Sequence, residues 1–146
     1  MIINKFEGKY AFLSNFYASV VQEDGITYPT IEHYFQAQKT LNPFERKEIA
    51  AAATPGQAKR AGRNVTLRED WEEVKDDVML QGLRLKFDIE ELANMLLETG
   101  DAYLEEGNWW HDNTWGSCAC PKCENTVGEN RLGKLLMQVR EEIKNK

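Results

Sequence analysis

Residues 28–39, with the sequence YPTIEHYFQAQK, constrain the fold more than any other segment, because several helix-start signals coincide there. Pro29 restricts the backbone just before the predicted helix, and Thr30 carries a hydroxyl that can cap a helix N-terminus. Glu32 then falls in the first turn, where the helix dipole favours a negative charge. The segment therefore predicts a helix that begins directly after Thr30.

One face of this helix combines acidic, basic and aromatic groups. Glu32, Phe35, Gln36 and Lys39 follow the spacing i, i+3, i+4, i+7 and so share that face. At a rise of about 1.5 Å per residue, Glu32 and Lys39 lie roughly 10 Å apart along the axis, so both side chains can converge on one small polar ligand. The alternative interpretation is an ordinary amphipathic helix with a dipole-matched glutamate and a solvated lysine.

The size and charge of the chain indicate a small cytoplasmic protein. Its 146 residues predict a single domain over residues 1–146. A net charge of −6 argues against a broad nucleic-acid-binding surface, since such surfaces neutralise phosphates. The N-terminus has charges where a signal peptide needs an apolar core, and no apolar run approaches the roughly 20 residues that span a bilayer. We therefore expect no membrane association.

The remaining elements predict an α+β fold that is compact and mostly helical, with one small β-hairpin. Asp24-Gly25 lies between alternating apolar and polar residues, a pattern typical of a hairpin. Thr54-Pro55 marks a helix start, Gly62 and Gly100 mark helix ends, and Asp88 with Glu91 resembles a capping box. Helices are predicted over 44–53, from Thr54-Pro55 to Gly62, over 70–87, from Asp88 to Gly100, and over 132–143.

Residues 107–130 do not fit this helical pattern. The segment contains three of the four tryptophans and all three cysteines, so an ordered, ligand-facing loop is favoured over a disordered one. Within it, Asp112-Asn113-Thr114-Trp115-Gly116 predicts a tight turn that presents an acid beside a stacking surface. Hydrogen bonds from the side chains of Asp112 and Asn113 to the local backbone would explain the same residues without any ligand.

The cysteines at positions 118, 120 and 123 are odd in number and closely spaced, which makes a disulfide framework a poor interpretation. Cys118, Cys120 and Cys123 with His111 can supply the four ligands of a tetrahedral structural zinc site. The alternative is a tight turn with three reduced thiols. If zinc binds, we expect a closed structural clip with no open coordination position.

Two further residues allow both a structural and a functional interpretation. Trp71 lies on the apolar face of a predicted helix, where it would anchor the core or stack on a ligand. Arg63 follows a glycine bend, where it would bind a phosphate or lie on the surface. The chain has no sequence pattern of an NTPase, Rossmann, zincin or α/β-hydrolase site.

The segments together resemble the NADAR family over nearly the whole chain. The matching segments run in family order and are FLSNFY at 12–17, DG..YPTIEHYFQAQK at 24–39, ATPGQAKRAGR at 53–63, DWEEVKDDVM at 70–79, LLETGDAYLEE at 96–106, DNTWG at 112–116 and GENRLGKLLMQVR at 128–140. The chain departs from many relatives after Trp115, where SCACPKC replaces glycine-rich sequence. The resemblance implies a compact α+β domain rich in helices.

The resemblance also implies a hydrolase that acts on N-glycosyl bonds. The expected substrates are small phosphoribosylamino-pyrimidine intermediates of riboflavin biosynthesis, and no cofactor is required. One alternative is an ADP-ribosyl-guanine hydrolase that acts on DNA or nucleotide as a toxin antidote. A further alternative is a non-catalytic module that binds ADP-ribose or NAD. By motif, the implied catalytic residues are Glu32, Asp112 and Lys39, and the implied substrate-binding residues are Trp71, Trp115, Asn15, Arg63 and Asn130.

Two mechanisms are compatible with these residues. Glu32 can stabilise positive charge at the ribose C1 atom and direct water to it, with Asp112 as partner. Alternatively, Lys39 can capture C1 of the ring-opened sugar as a Schiff base. Burial would raise the pKa of the Glu32 carboxyl and a nearby lysine would lower it, and the sequence leaves this choice open. Trp71 and Trp115 are expected to sandwich the heterocycle or the ribose.

Overall fold

The computed structural model describes residues 1–146, with six α-helices, two 3₁₀ helices and six short strands. The helices are α1 (Ile31–Ala37), α2 (Pro43–Ala50), α3 (Pro55–Ala61), α4 (Trp71–Lys86), α5 (Glu90–Glu98) and α6 (Arg131–Lys144). The strands are β1 (Ile2–Ile3), β2 (Val21–Glu23), β3 (Ile26–Tyr28), β4 (Tyr103–Leu104), β5 (Gly107–Asn108) and β6 (Ser117–Cys118). The 3₁₀ helices cover Gly8–Leu13 and Pro121–Cys123. This confirms the predicted mostly helical α+β fold.

The chain forms two compact units, residues 15–86 and residues 1–14 with 87–146. In the first unit, β2 and β3 form the predicted antiparallel hairpin, in which Val21 faces Tyr28. Helix α1 contacts α2, α3 and α4, and all of its residues are buried. A helix buried on every side is a core element, so the interpretation of this segment as an ordinary amphipathic helix is wrong.

Side-chain caps begin the helices of this unit. The hydroxyl of Thr30 accepts a hydrogen bond from the His33 backbone N–H at 3.2 Å, as the sequence predicted. The ring of His33 also lies 2.8 Å from the Thr30 hydroxyl and 3.0 Å from the carbonyl oxygen of Ala52. Thr54 caps α3 in the same way, through the backbone N–H of Gln57. His33 is therefore a buried structural residue that fixes the start of α1.

One local prediction was wrong, and the reason for a second one needs correction. Helix α5 begins after Ile89 and has no side-chain cap bond, so Asp88 and Glu91 form no capping box. Gly62 does end α3, but its φ of −61° is open to any residue, so the need for glycine there is not conformational.

The second unit is built around two parallel strand pairs and two helices. Strand β1 pairs with β4, β5 pairs with β6, and α5 contacts α6. Leu96, Leu104 and Leu136 are fully buried in its core. Gly100 has a φ of 62° directly after α5, which is the left-handed position that favours glycine. None of the helices in either unit has the length and apolar character needed to cross a bilayer.

Candidate active site and metal centre

Glu32 is a buried carboxyl group at the start of a buried helix. Its side chain is 9% exposed, and its backbone N–H donates to the carbonyl oxygen of Asn15 at 3.0 Å. The side-chain amide of Gln36, one turn further along α1, donates to Oε2 of Glu32 at 2.6 Å. The backbone bond and the side-chain bond together hold the Glu32 carboxyl in one orientation.

Burial raises the pKa of Glu32 above its ordinary value of 4.5. The hydrogen bond from Gln36 and the positive charges of Lys59 and Lys39 oppose this rise, but burial outweighs them. The choice that the sequence left open is therefore settled in favour of burial. A carboxyl group with a raised pKa can exchange a proton closer to neutral pH, which suits acid–base chemistry.

Lys59 and Lys39 lie near Glu32, and Arg63 lies near Lys39. Burial lowers the pKa of Lys39 below 10.5, Glu32 counteracts this, and Arg63 and Lys59 lower the same pKa further. Lys39 follows α1, Lys59 lies in α3 and Arg63 follows α3, and the two helices contact each other. None of the three forms a salt bridge. We call Lys39, Lys59 and Arg63 the basic group, and it is a local exception in a chain with a net charge of −6.

Gly62 explains how Gln36 reaches Glu32. A Cβ atom at Gly62 would overlap the Gln36 amide oxygen and lie 2.9 Å from its Cδ atom. Only glycine therefore leaves space for this side chain between α1 and α3. The sequence analysis placed Gln36 on the face of Glu32 but did not assign it to the site, and it missed Lys59. The i, i+4 spacing from Glu32 was the signal that could have identified Gln36.

The structure places Trp71 and Asn15 in the same unit as Glu32. Trp71 is 7% exposed, and its ring lies against that of Phe35 with centroids 5.0 Å apart. This is the core-anchoring arrangement, and the stacking of Trp71 on a substrate remains a prediction. The amide nitrogen of Asn15 donates to the sulfur of Met79 at 3.5 Å, whereas its Oδ1 atom is buried without a hydrogen-bond partner.

In the second unit, Asp112 forms a tight turn as predicted. Its Oδ1 atom accepts hydrogen bonds from the backbone N–H groups of Thr114 at 3.0 Å and Trp115 at 2.9 Å. The side chain of Asn108 holds the turn from inside, since it donates to the carbonyl oxygen of Asp112 and accepts from its N–H. The local structural role of Asp112 is visible here, and its catalytic role remains a prediction.

Asn130 is buried and fully engaged within this unit. Its amide nitrogen donates to the Leu104 carbonyl oxygen at 2.9 Å and to the Tyr103 hydroxyl at 3.3 Å. Its amide oxygen accepts from the backbone N–H of Glu106 at 3.0 Å. Both of its donors are therefore used by the protein. The substrate contact that the resemblance implies for Asn130 remains a prediction.

The three cysteines and His111 form one cluster that can hold a metal ion. Their candidate ligand atoms all lie within 4.8 Å of one another, and the cysteines are free thiols. Nδ1 of His111 lies 3.3 Å, 3.4 Å and 3.8 Å from the sulfurs of Cys120, Cys123 and Cys118. For Zn–N and Zn–S bonds of about 2.0 and 2.3 Å, a tetrahedral site needs N···S separations of about 3.5 Å. The cluster therefore has the dimensions of a four-ligand zinc site.

Lys86 is a perturbed residue that the sequence analysis missed, because a basic residue in the last turn of a helix is ordinarily a solvated one. It is fully buried, and burial lowers the pKa of its amine from 10.5 to about 7. Its ammonium nitrogen lies 5.6 Å from the centroid of the Tyr17 ring. A buried amine of this kind affects the pH dependence of stability.

Comparisons with known proteins agree with this structure. The NADAR domain family profile matches residues 3–144. The chain is 45% identical to the N-glycosidase YbiA of Shigella flexneri serotype 5b (strain 8401) over 137 residues, which cover 92% of this chain and 82% of the relative. It is 41% identical over 133 residues to the chloroplastic riboflavin biosynthesis protein PYRR of Zea mays, covering 82% of this chain and 20% of that protein.

A solved structure supports the same relationship. The NMR structure of YbiA from E. coli superimposes with a TM-score of 0.82 at 41% sequence identity, covering 99% of this chain and 86% of that chain. The family profile, the sequence identities and the fold therefore lead to one conclusion: this chain belongs to the NADAR family.

Proposed function

We propose that this protein is an N-glycosidase that hydrolyses the ribosyl C1–N bond of phosphoribosylamino-pyrimidine intermediates of riboflavin biosynthesis. Relatives that cover most of the chain are named N-glycosidases, and a further relative is named a riboflavin biosynthesis protein. The observation that carries the proposal is the buried Glu32 carboxyl beside the basic group. The names of the relatives favour this reaction over ADP-ribosyl-guanine hydrolysis and over a binding module without activity.

Glu32 supplies the acid–base chemistry in this proposal. Water attacks the ribose C1 atom, the C1–N bond breaks, and the leaving amine takes up a proton, which yields ribose 5-phosphate and the free amine. The Glu32 carboxylate stabilises positive charge at C1 and accepts the proton of the attacking water. Burial raises the pKa of Glu32, so its carboxyl can accept and return this proton near neutral pH.

Lys39 offers the second route. Burial lowers the pKa of its amine, and a larger fraction of neutral amine favours nucleophilic attack. The amine would attack C1 of the ring-opened sugar, expel the pyrimidine amine, and form a Schiff base that water then releases. Borohydride reduction during turnover distinguishes the routes: an adduct on Lys39 supports capture, and product formation without any adduct supports direct attack by water.

The basic group supports a substrate that carries a phosphate. Its three cations lack carboxylate partners in the protein, although Glu32 is close to two of them. A phosphate can neutralise such a group through charge-assisted hydrogen bonds, and Arg63 can bind it with two donors. This gives Arg63 the role that the resemblance implies and adds Lys59 to the same role.

The roles of the other predicted residues rest on the family resemblance. Asp112 is proposed as the second acid, and the rings of Trp71 and Trp115 as stacking surfaces for the heterocycle or ribose. The substrate contact of Asn130 is the weakest of these proposals, because its amide nitrogen already donates to Leu104 and Tyr103. The cytoplasmic location also remains a prediction.

We propose in addition that His111 and the three cysteines bind one structural zinc ion. The distances from Nδ1 of His111 to the sulfurs support this, and four protein ligands leave no open position for catalysis. Purification without chelator should give one zinc per chain by elemental analysis, and a Cys120→Ser variant should give much less. Wild-type protein without stoichiometric metal would end this proposal.

The test of the main proposal offers the purified protein two substrates in parallel. One is the phosphoribosylamino-pyrimidine, assayed by ribose 5-phosphate release, and the other is ADP-ribosylated guanine, assayed by free guanine base or nucleotide. We expect release of ribose 5-phosphate with the higher kcat/KM. Exclusive activity on the ADP-ribosylated substrate would replace the proposed substrate, and binding without turnover of either would support a module without activity.

A further inference from the structure

Several hydrogen bonds of the second unit converge on Glu106, a half-buried glutamate. Its backbone N–H donates to the side-chain oxygen of Asn130 at 3.0 Å, and its carbonyl oxygen accepts from the Ser117 backbone N–H at 2.8 Å. The side-chain amide of Asn108 donates to the Glu106 carboxyl group at 3.1 Å. The protein therefore holds both the backbone and the carboxyl group of this residue.

The same contacts join Glu106 to the turn that carries Asp112 and Trp115. The Asn108 amide nitrogen that donates to Glu106 also donates to the Asp112 carbonyl oxygen at 2.8 Å. A Cβ atom at Gly116 would overlap Oε2 and the carbonyl oxygen of Glu106, so only glycine allows the turn to approach this closely. Gly116 directly follows Trp115, so the Glu106 carboxyl group lies beside the residue that carries the proposed stacking ring.

The surroundings of the Glu106 carboxyl group differ from those of Asp112. Oδ1 of Asp112 accepts from two backbone N–H groups of its own turn, which is a local structural role. Glu106 accepts from a side chain and lies against a glycine, and part of its surface contacts solvent, where a ligand can reach it. A carboxylate accepts hydrogen bonds and donates none. A ligand bound by Glu106 must therefore supply N–H or O–H groups.

We propose that the Glu106 carboxylate binds N–H groups of the aminopyrimidine, whose ring stacks on Trp115, and so selects heterocycles that carry amino groups. This inference rests on the proposed function, whose substrate has an N–H group at the scissile bond and releases a free amine. A heterocycle without amino groups would displace water from the carboxylate without replacing its hydrogen bonds. Glu106 is then a specificity-determining residue for the heterocycle.

Binding of two small heterocycles, measured by NMR titration, tests the inference without depending on turnover. The ligands are 2,4-diamino-6-hydroxypyrimidine and 4-hydroxypyrimidine, which has the same ring and oxygen but no amino groups. Wild-type protein should bind the diamino compound about tenfold or more tightly, because hydrogen bonds to a charged group are the strong ones. In Glu106→Gln this preference should fall to about threefold or less. The variant should still bind ribose 5-phosphate as wild type does, which also reports that it is folded.

Glu105→Gln is the matched control, because Glu105 is also half-buried but its carboxyl group contacts neither the Asn108 amide nor Gly116. This variant should keep the full preference for the diamino compound. Equal binding of the two heterocycles by wild-type protein would overturn the inference, as would no binding of the diamino compound. A Glu106→Gln protein that binds ribose 5-phosphate and keeps the full preference would also overturn it.

Two further readouts keep the result decisive. If Glu106→Gln does not fold, the comparison of the two heterocycles on wild-type protein decides on its own, since it needs no variant. Hydrolysis, measured in parallel, separates this inference from the proposed function. Release of ribose 5-phosphate by a protein without the amino preference refutes only the inference, and the preference without hydrolysis refutes only the proposed function.

Discussion

Replacing Gly62 with alanine tests the arrangement around Glu32 with the smallest change that the chain allows. The φ of −61° at Gly62 suits alanine, so the substitution adds no backbone strain. The new Cβ atom would overlap the Gln36 amide oxygen and lie 2.9 Å from Cδ, and the side chain must therefore move. The 2.6 Å hydrogen bond from Gln36 to the Glu32 carboxyl is expected to break.

The magnitude follows from the lost hydrogen bond. A hydrogen bond to a charged group contributes about 1.5–3 kcal/mol. If this bond holds the carboxylate in its reactive orientation, its loss should lower kcat/KM about 10- to 100-fold, at about 1.4 kcal/mol per factor of ten. The same bond lowers the pKa of Glu32, so its loss should raise that pKa and shift the acid limb of the pH–rate profile to higher pH.

The assay is the pH dependence of kcat/KM for ribose 5-phosphate release by wild type, Gly62→Ala and a control, Gly56→Ala. Gly56 also belongs to α3, but the nearest atom to an added Cβ there is the Thr54 hydroxyl oxygen at 3.9 Å. The control should therefore match wild type in rate and in pH profile. A Gly62→Ala enzyme with an unchanged acid limb and full activity would refute the assignment of Gln36 to Glu32.

Three further predictions concern charge burial and metal. Glu32→Gln should raise the unfolding midpoint at pH 8 but not at pH 4, because burial raises the pKa of Glu32. The wild-type protein loses stability as the pH rises from 4.5 through that pKa, by about 1.4 kcal/mol for each unit by which the pKa is raised. An equal gain in the midpoint at both pH values would contradict this. Lys86→Met should stabilise the protein relative to wild type most near pH 6, and denaturant titrations should show this difference in stability shrinking between pH 7 and 10.5. The reason is that burial lowers the pKa of Lys86 to about 7, and deprotonation removes the buried charge. A difference that grows with pH would contradict this. Chelation should lower the melting temperature of zinc-loaded wild type by several degrees but leave that of Cys118→Ser unaffected, since that variant has lost one ligand. A similar fall in the melting temperature of both proteins would argue against a structural zinc site.

Local signals in the sequence predicted much of the fold. The threonine caps at positions 30 and 54, the Asp24-Gly25 hairpin and the glycine after α5 all lie where the sequence placed them. Each depends on a contact within a few residues, which sequence spacing reports directly. The capping box at Asp88 failed because its side chain does not cap α5, which begins after Ile89.

The site was predicted less completely, because its properties depend on tertiary contacts. The sequence identified Glu32, but the rise in its pKa comes from burial of α1 on every side, which its amphipathic spacing did not indicate. Gly62 ends α3 as the sequence predicted, and the structure shows in addition that it makes space for Gln36. Such close approaches between helices leave no signal in local periodicity.

The cysteine cluster shows the opposite case. Spacing alone suggested that His111 and the three cysteines could converge, although the usual paired Cys-x2-Cys halves are absent. The structure brings their ligand atoms within 4.8 Å. His111 achieves this with a φ of 71°, a conformation that sequence reasoning could not have assigned to it.

The pH profile of ribose 5-phosphate release by wild type and Glu32→Gln tests the central claim most directly. We expect the wild-type kcat/KM to fall on the acid side with an apparent pKa above 4.5, because burial raises the pKa of Glu32. The Glu32→Gln protein, confirmed as folded by circular dichroism, should release no sugar above background. A variant that retains the wild-type rate and acid limb would show that this carboxyl group does not act in the reaction.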